Sequence, residues 1–238
     1  MLPTPTNLAT WGITDDPSCR LCGKPSNLQH VLSACSTALS QHRYTWRHDK
    51  VLEAIAHHLQ LFCQKSNNIR SEAKKIAFVK AGERNHHSDK NQEMTSGILA
   101  KARDWKLQVD LGKQLVFPQE ITITRQRPDI LITSKTSKAL IILELTVPWE
   151  ERMDEVYERK TAKYQELVNN CKENGWKTWC FPIEIGCRGF VGRSAHRAFS
   201  ALGVKGREKS KVLREAGDKA ERASNWIWLK REVPHWSS

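Results

Sequence analysis

The chain has 238 residues, 39% of them hydrophobic, enough for one good-sized domain or two small ones. Lys and Arg outnumber Asp and Glu 38 to 26, a formal +12 with a pI near 9.5, which points to a polyanionic partner, nucleic acid first and an anionic membrane surface second. No apolar run reaches the ~20 residues that a bilayer-spanning helix needs, so a membrane partner is not expected.

The start, Met1-Leu2-Pro3-Thr4-Pro5, has neither the charged region nor the apolar core of a secretory signal. Seven Cys is an odd count, and three of them stand at metal-ligand spacing. That favours free or metal-bound thiols over disulfides and a reducing, intracellular compartment, with a nuclear location expected.

In chain order, residues 1 to about 18 are Pro- and Thr-rich and read as irregular. Cys19-x2-Cys22-x7-His30-x4-Cys35 follows, three thiolates and one imidazole, the donor set of a closed structural Zn2+ site. Gly23 eases the turn after the second Cys, and His30 and Cys35 stand one helical turn apart. A unit this small buries too little apolar surface to fold without its metal. Arg20, Lys24, Arg43, Tyr44, Trp46 and Arg47 interleave basic and aromatic groups around it, suited to phosphate contact and base stacking.

Val51, Leu52, Ile55, Leu59 and Phe62 recur at helical spacing. Residues 1–63 therefore read as a small zinc unit with a following helix. Residues 64–92 form a polar linker, in which His86 and His87 read as solvated side chains. A second unit occupies residues 93–238.

That second unit opens with a helix over Thr95–Leu111, with Ile98, Ala102, Trp105 and Val109 on one side. Strands are expected over Gln114–Thr124, Arg127–Thr133 and Ala139–Val147, the last two as a hairpin. A helix from Pro148-Trp149-Glu150 to about Asn174 ends at Gly175, and a fourth strand runs over Trp176–Cys187. A short helix over Arg193–Leu202 precedes a long one over Gly206–Glu232, with Val212, Ala216, Ala220, Ala223 and Ile227 on its apolar stripe. The order helix, three strands, helix, strand, helix is α/β with a mixed sheet.

The chemistry concentrates at Arg127-Pro128-Asp129 and at Glu144, which interrupts the apolar run Ala139–Val147. A carboxylate inside a strand buried on both faces must be protonated, paired or bound to a cation. Asp129 begins the preceding strand, and two carboxylates on adjacent strands make an oxygen-rich site for Mg2+ or Mn2+. Such sites often carry a Lys two residues after the Glu; here that position is Thr146. Lys160, in the apolar stripe of the next helix with Met153, Val156, Tyr157, Tyr164, Leu167 and Val168, offers the missing charge, and Lys163 flanks it. Asp110 is a weak third carboxylate, and the side of the sheet that Glu184 faces stays open.

The Cys-x2-Cys-x7-His-x4-Cys unit, then Pro-Asp, Glu-Leu-Thr-Val and Lys-x2-Lys-Tyr, resembles the C-terminal region of site-specific non-LTR retrotransposon polyproteins, from Cys19 almost to the end of the chain. In those proteins a CCHC zinc knuckle precedes a restriction-like endonuclease of the PD-(D/E)xK class. The resemblance implies that residues 93–238 are the endonuclease domain and that Asp129 and Glu144 bind the catalytic metal. It also implies that Lys160, Lys163 and Tyr164 match the family's displaced lysine motif. Arg127, two residues before Asp129, is a further candidate nucleic-acid contact. The implied reaction is nicking of DNA one strand at a time, with RNA as an alternative partner of the knuckle. Glu144 stands where the family often has Asp, and no Tyr/Phe-x-Asp-Asp polymerase motif occurs. The competing reading is a nucleic-acid-binding protein that retains the nuclease fold without its activity.

Overall fold

A computed structural model describes residues 2–69 and 97–236. It is a mixed α/β structure built on a four-stranded sheet. The N-terminal part holds α1 (Pro5–Thr10), a π-helical turn at His30–Ala34, α2 (Ser36–Ser40) and α3 (Arg43–Asn68). The sheet strands are β1 (Lys106–Val109), β2 (Ile130–Ser134), β3 (Ala139–Thr146) and β4 (Lys177–Glu184). Helix α4 (Met153–Glu173) joins β3 to β4, and α5 (Arg193–Leu202) and α6 (Gly206–Leu229) follow.

The strands lie in the order β1-β2-β3-β4. β1, β2 and β3 are antiparallel neighbours, and β4 returns parallel to β3 through α4, as the connection lengths require. Both faces are covered. Ile130, Ile132, Ile141, Leu143 and Leu145 pack with α3, α5 and α6. Leu131, Leu140 and Ile142 pack with Tyr164, Leu167, Val168 and Cys171 of α4. Burial on both sides explains why β3 reads as one apolar run. By strand alternation Glu144 shares the α4 face with Leu140 and Ile142.

Three expectations are corrected. The helix over Thr95–Leu111 is not formed: its described part is a 3₁₀ turn at Ile98–Lys101 and then β1. Ile98, Ala102 and Trp105 are buried as expected, but from a turn and a loop rather than one helix face. The strand over Gln114–Thr124 is also absent. Pro118 breaks it, and Leu115, Phe117 and Ile121 enter the core from irregular chain, with Asn174 Nδ2 donating to the Ile121 carbonyl at 2.8 Å. The sheet keeps its expected strand count because β1 takes the vacant edge.

The third correction concerns the start of the linker expected over residues 64–92: Val51–Phe62 are helical as expected, but their helix has 26 residues and ends at Asn68. Residues 64–68 are therefore helical rather than linker, and His86 and His87 lie outside the described residues. Val51, Leu52, Ile55, Leu59 and Phe62 share one core with the sheet, α5 and α6. On α4, Met153, Val156, Tyr164, Leu167 and Val168 are buried, whereas Tyr157 is exposed. The predicted stripe of α6 is buried along its length, and Lys211, Arg214, Lys219 and Arg222 face solvent.

Candidate active site

Two clusters of chemical groups stand out, one on each side of the start of α3. In the first, the ligand atoms of Cys19, Cys22, His30 and Cys35 all lie within 4.8 Å of one another, an arrangement that could hold one metal ion. It is the one such group of three or more His, Cys, Asp or Glu among the described residues. Cys19 Sγ and Cys35 Sγ are 3.9 Å apart, and Cys22 Sγ and His30 Nε2 are 3.3 Å apart.

The turn that brings the first two thiols together needs Gly23, whose φ is +73°, a region that side-chain-bearing residues avoid. Its amide donates to the Cys19 carbonyl at 2.8 Å, and the Cys19 amide donates to the Lys24 carbonyl at 2.7 Å. His30 opens the π-helical turn, and Cys35 stands at the N-cap position of α2. Burial, helped by the charge of Lys24, lowers the His30 pKa and keeps the ring in the neutral form a metal requires. Burial pushes the Cys35 thiol up to about 11.

The second cluster sits where β2 and β3 meet α4. Glu144 is 3% exposed, and both of its oxygens are engaged. Lys160 Nζ donates to Oε1 at 2.5 Å, Lys163 Nζ approaches the same oxygen at 3.4 Å, and Tyr164 Oη donates to Oε2 at 2.7 Å. Lys163 Nζ also donates to Tyr164 Oη at 2.9 Å. Burial first, then the Glu144 charge and its hydrogen bond, raise the Tyr164 pKa and keep the phenol protonated. Lys160, Lys163 and Tyr164 of α4 thus converge on one carboxylate. They do so because positions 160, 163 and 164 fall on one helix face.

Asp129 precedes β2, and its Oδ2 accepts from the Leu145 amide at 2.7 Å. That bond fixes Asp129 beside the C-terminal end of β3. Its cationic neighbour is His48 of α3, with Nε2 3.4 Å away. The same Nε2 is 3.3 Å from the Leu145 carbonyl, and Nδ1 is 3.1 Å from Asp49 Oδ1. Burial pulls the His48 pKa down, but its bonds to Asp129 and Asp49, and their charges, outweigh it and raise the group to about 10. A cleft of about 300 Å³ opens here, lined by His48, Asp129, Thr146, Arg159 and Lys160 among others. Asp129 and the Leu145 carbonyl present oxygens that suit a hard cation. Glu144 can bind one only in exchange for a lysine contact.

The expected nucleic-acid contacts divide. Arg20, Lys24 and Arg127 are exposed, Arg20 pairing with Glu232 at 3.3 Å. Arg43 and Arg47 are buried and are corrected to structural roles. Arg43 donates to the carbonyls of Lys230 and Val233, and Arg47 to those of Leu32 and Val147 and to Ser224 Oγ. The Tyr44 hydroxyl is spent on the His30 and Val31 carbonyls and the Cys35 amide, and Trp46 packs edge-on against Trp236.

Asp110 holds the Leu115 amide and does not join the cluster. Glu184 is 2% exposed on the α4 face, across from Thr146. Ser194 Oγ donates to its Oε2, and its Oε1 has no hydrogen-bond partner. Burial raises its pKa. Sequence reasoning passed over His48, although it sits one turn before Val51 and Leu52 on the core side of α3, a signal that was available.

No protein-family model matches the chain, and no curated protein matches it at a significant level.

Proposed function

We propose that the protein is a Mg2+- or Mn2+-dependent DNA endonuclease of the PD-(D/E)xK class that nicks DNA. In this reading it carries a structural Zn2+ on Cys19, Cys22, His30 and Cys35 and derives from, or forms part of, a non-LTR retrotransposon. The observation that carries the reading is Lys160 reaching back from α4 to Glu144 at 2.5 Å, beside Asp129. The lysine from the next helix that meets this buried acid of β3 supplies the charge that Thr146 cannot.

In this reading Asp129 and Glu144 hold the ion. What it supplies when bound is charge for the scissile phosphate and a more acidic water. Lys160 and Lys163 add positive charge at the same place, and Tyr164 orients Glu144. Arg159 and Lys160 line the cleft and draw in phosphate, and the net +12 favours encounter with a polyanion in the nucleus.

Zinc suits the Cys3His set on size. A tetrahedron with Zn–S of about 2.3 Å and Zn–N of about 2.0 Å has edges of roughly 3.8 Å for S–S and 3.5 Å for S–N. The separations of 3.9 and 3.3 Å lie within a few tenths of an ångström of those.

A second reading has its own support: Glu144 is fully satisfied by Lys160, Lys163 and Tyr164, as in a non-catalytic protein that retains the nuclease fold and binds nucleic acid. Incubation of supercoiled plasmid with Mg2+ or Mn2+ separates the two. Nicking by the wild type, lost in Asp129→Ala and Glu144→Ala, supports the nuclease. Salt-sensitive DNA binding with no nicking supports the binding protein. Nicking that survives both substitutions overturns the site.

A further inference from the structure

His48 comes from α3, ahead of the sheet in sequence, yet its ring reaches the cleft beside Asp129. Nε2 stands 3.4 Å from Asp129 Oδ2 and 3.3 Å from the Leu145 carbonyl oxygen. A carboxylate oxygen, a carbonyl oxygen and an imidazole nitrogen thus meet at one corner of the cleft, where Asp129, Leu145 and His48 are all lining residues. An octahedral shell with bonds of about 2.1 Å places neighbouring donors about 3.0 Å apart. The two separations exceed that by a few tenths of an ångström, within the reach of a side-chain rotation.

The other ring nitrogen is already committed. Nδ1 is 3.1 Å from Asp49 Oδ1, and a carboxylate there fixes the tautomer that leaves Nε2 as the ligating atom. The backbone contributes as well: the Leu145 amide holds Asp129 Oδ2 at 2.7 Å, so two of the three donors are locked to one residue of β3.

We propose that His48 is a direct ligand of the divalent ion at Asp129, oriented by Asp49. On binding, the Nε2–H bond breaks, its proton leaves to solvent, and the nitrogen lone pair forms the metal bond. An imidazole in the shell favours Mn2+ over Mg2+, which takes oxygen donors almost exclusively. The proposal rests on the metal-dependent nuclease reading and adds a ligand from outside the sheet and α4.

The test uses the full chain with its Cys3His site loaded with Zn2+, titrated with Mn2+ and read by pulsed electron paramagnetic resonance. Wild type is expected to bind Mn2+ and to show the 14N modulation of a coordinated imidazole. His48→Gln should lose that modulation and bind Mn2+ at least about 10-fold more weakly, and Asp49→Asn should weaken binding about 10-fold or more with the modulation retained. Mn2+ bound in an Asp129-dependent manner, with no 14N modulation in wild type or with modulation unchanged in His48→Gln, overturns the histidine ligand and leaves the carboxylate site standing. Absence of Asp129-dependent Mn2+ binding overturns both. The wild-type spectrum decides the matter even if His48→Gln fails to fold.

Discussion

Removal of the Lys160 ammonium should damage the protein more than removal of the whole ion pair. Glu144 is 4% exposed at its side chain and Lys160 21%. Losing one member of a buried pair costs about 3–5 kcal/mol, because the other charge stays in a poor solvent, while replacing both by apolar groups is near neutral. Two features place Lys160→Met toward or below the low end. Lys163 still approaches the carboxylate at 3.4 Å, and Tyr164 still donates to it. A loss of about 2–3 kcal/mol follows, a shift of about 1 M in a urea midpoint at ordinary m-values.

Glu144→Leu alone should cost less, about 1 kcal/mol, since Lys160 can turn toward water and Tyr164 can still donate to the Arg127 carbonyl, 3.3 Å away. The double variant should return to within about 1 kcal/mol of wild type, a coupling of about 2–3 kcal/mol in a double-mutant cycle. Urea unfolding followed by circular dichroism measures all four proteins. Additive losses, or a Lys160→Met protein as stable as wild type, would show that Lys160 does not neutralise Glu144, and the argument for the site would go with it.

Arg47→Ala should destabilise by about 4 kcal/mol or more, since it strips partners from the Leu32 and Val147 carbonyls and leaves a cavity, while the DNA affinity of the protein that remains folded stays at the wild-type value. A melting curve and a salt-matched binding isotherm check it, and a selective loss of DNA affinity would return Arg47 to the interface. Stripping the Cys3His site with a strong chelator should release one Zn2+ per chain and lower Tm by about 10 °C, at roughly 2–4 °C per kcal/mol. An unchanged Tm would refute a structural metal. Asp104 takes hydrogen bonds from Ser134, Thr136 and the Thr136 amide, which outweigh the upward push of burial and lower its pKa to about 2. The folded value lies below the unfolded one, so its contribution of about 1–2 kcal/mol, discounted for solvent screening, is present above about pH 4 and fades as pH falls toward 2. Asp104→Asn should flatten the stability profile over that window, and an unchanged slope would refute the assignment.

Which parts of this structure could be read from sequence follows from where the signal was local. β2, β3, α4, β4, α5 and α6 each carry their own period or their own punctuation, and each lies close to its expected span. The Cys3His cluster was legible for the same reason, its ligands being set by spacing along a short stretch. Lys160 was legible because a lysine in an apolar stripe conflicts with its surroundings, and conflicts of that kind mark sites. β1 was not legible: four residues of half-buried alternation beside an apolar period at 98, 102, 105 and 109 satisfied the helix template better than the strand one. Gln114–Thr124 failed in the opposite sense, since its buried Leu115, Phe117 and Ile121 alternate as a strand would while Pro118 denies them a ladder.

Arg43, Arg47 and His48 failed for a different reason, and it bears on how the molecule is built. Basic residues beside aromatics read as a nucleic-acid surface, but α3 packs into the sheet's core, so its first turns are covered rather than presented. Their positive groups are used inward: Arg43 on the carbonyls after α6, Arg47 on carbonyls of the π-helical turn and just past β3, His48 on Asp129. Tyr44, between them, holds the backbone of His30, Val31 and Cys35. Tyr44, Arg47 and His48 of α3 therefore bond to the Cys3His turn at one end and to Asp129 at the other, and what holds the first cluster also sets where His48 meets the second. The Cys3His unit is then not a separate appendage: it fixes the helix that completes the cleft.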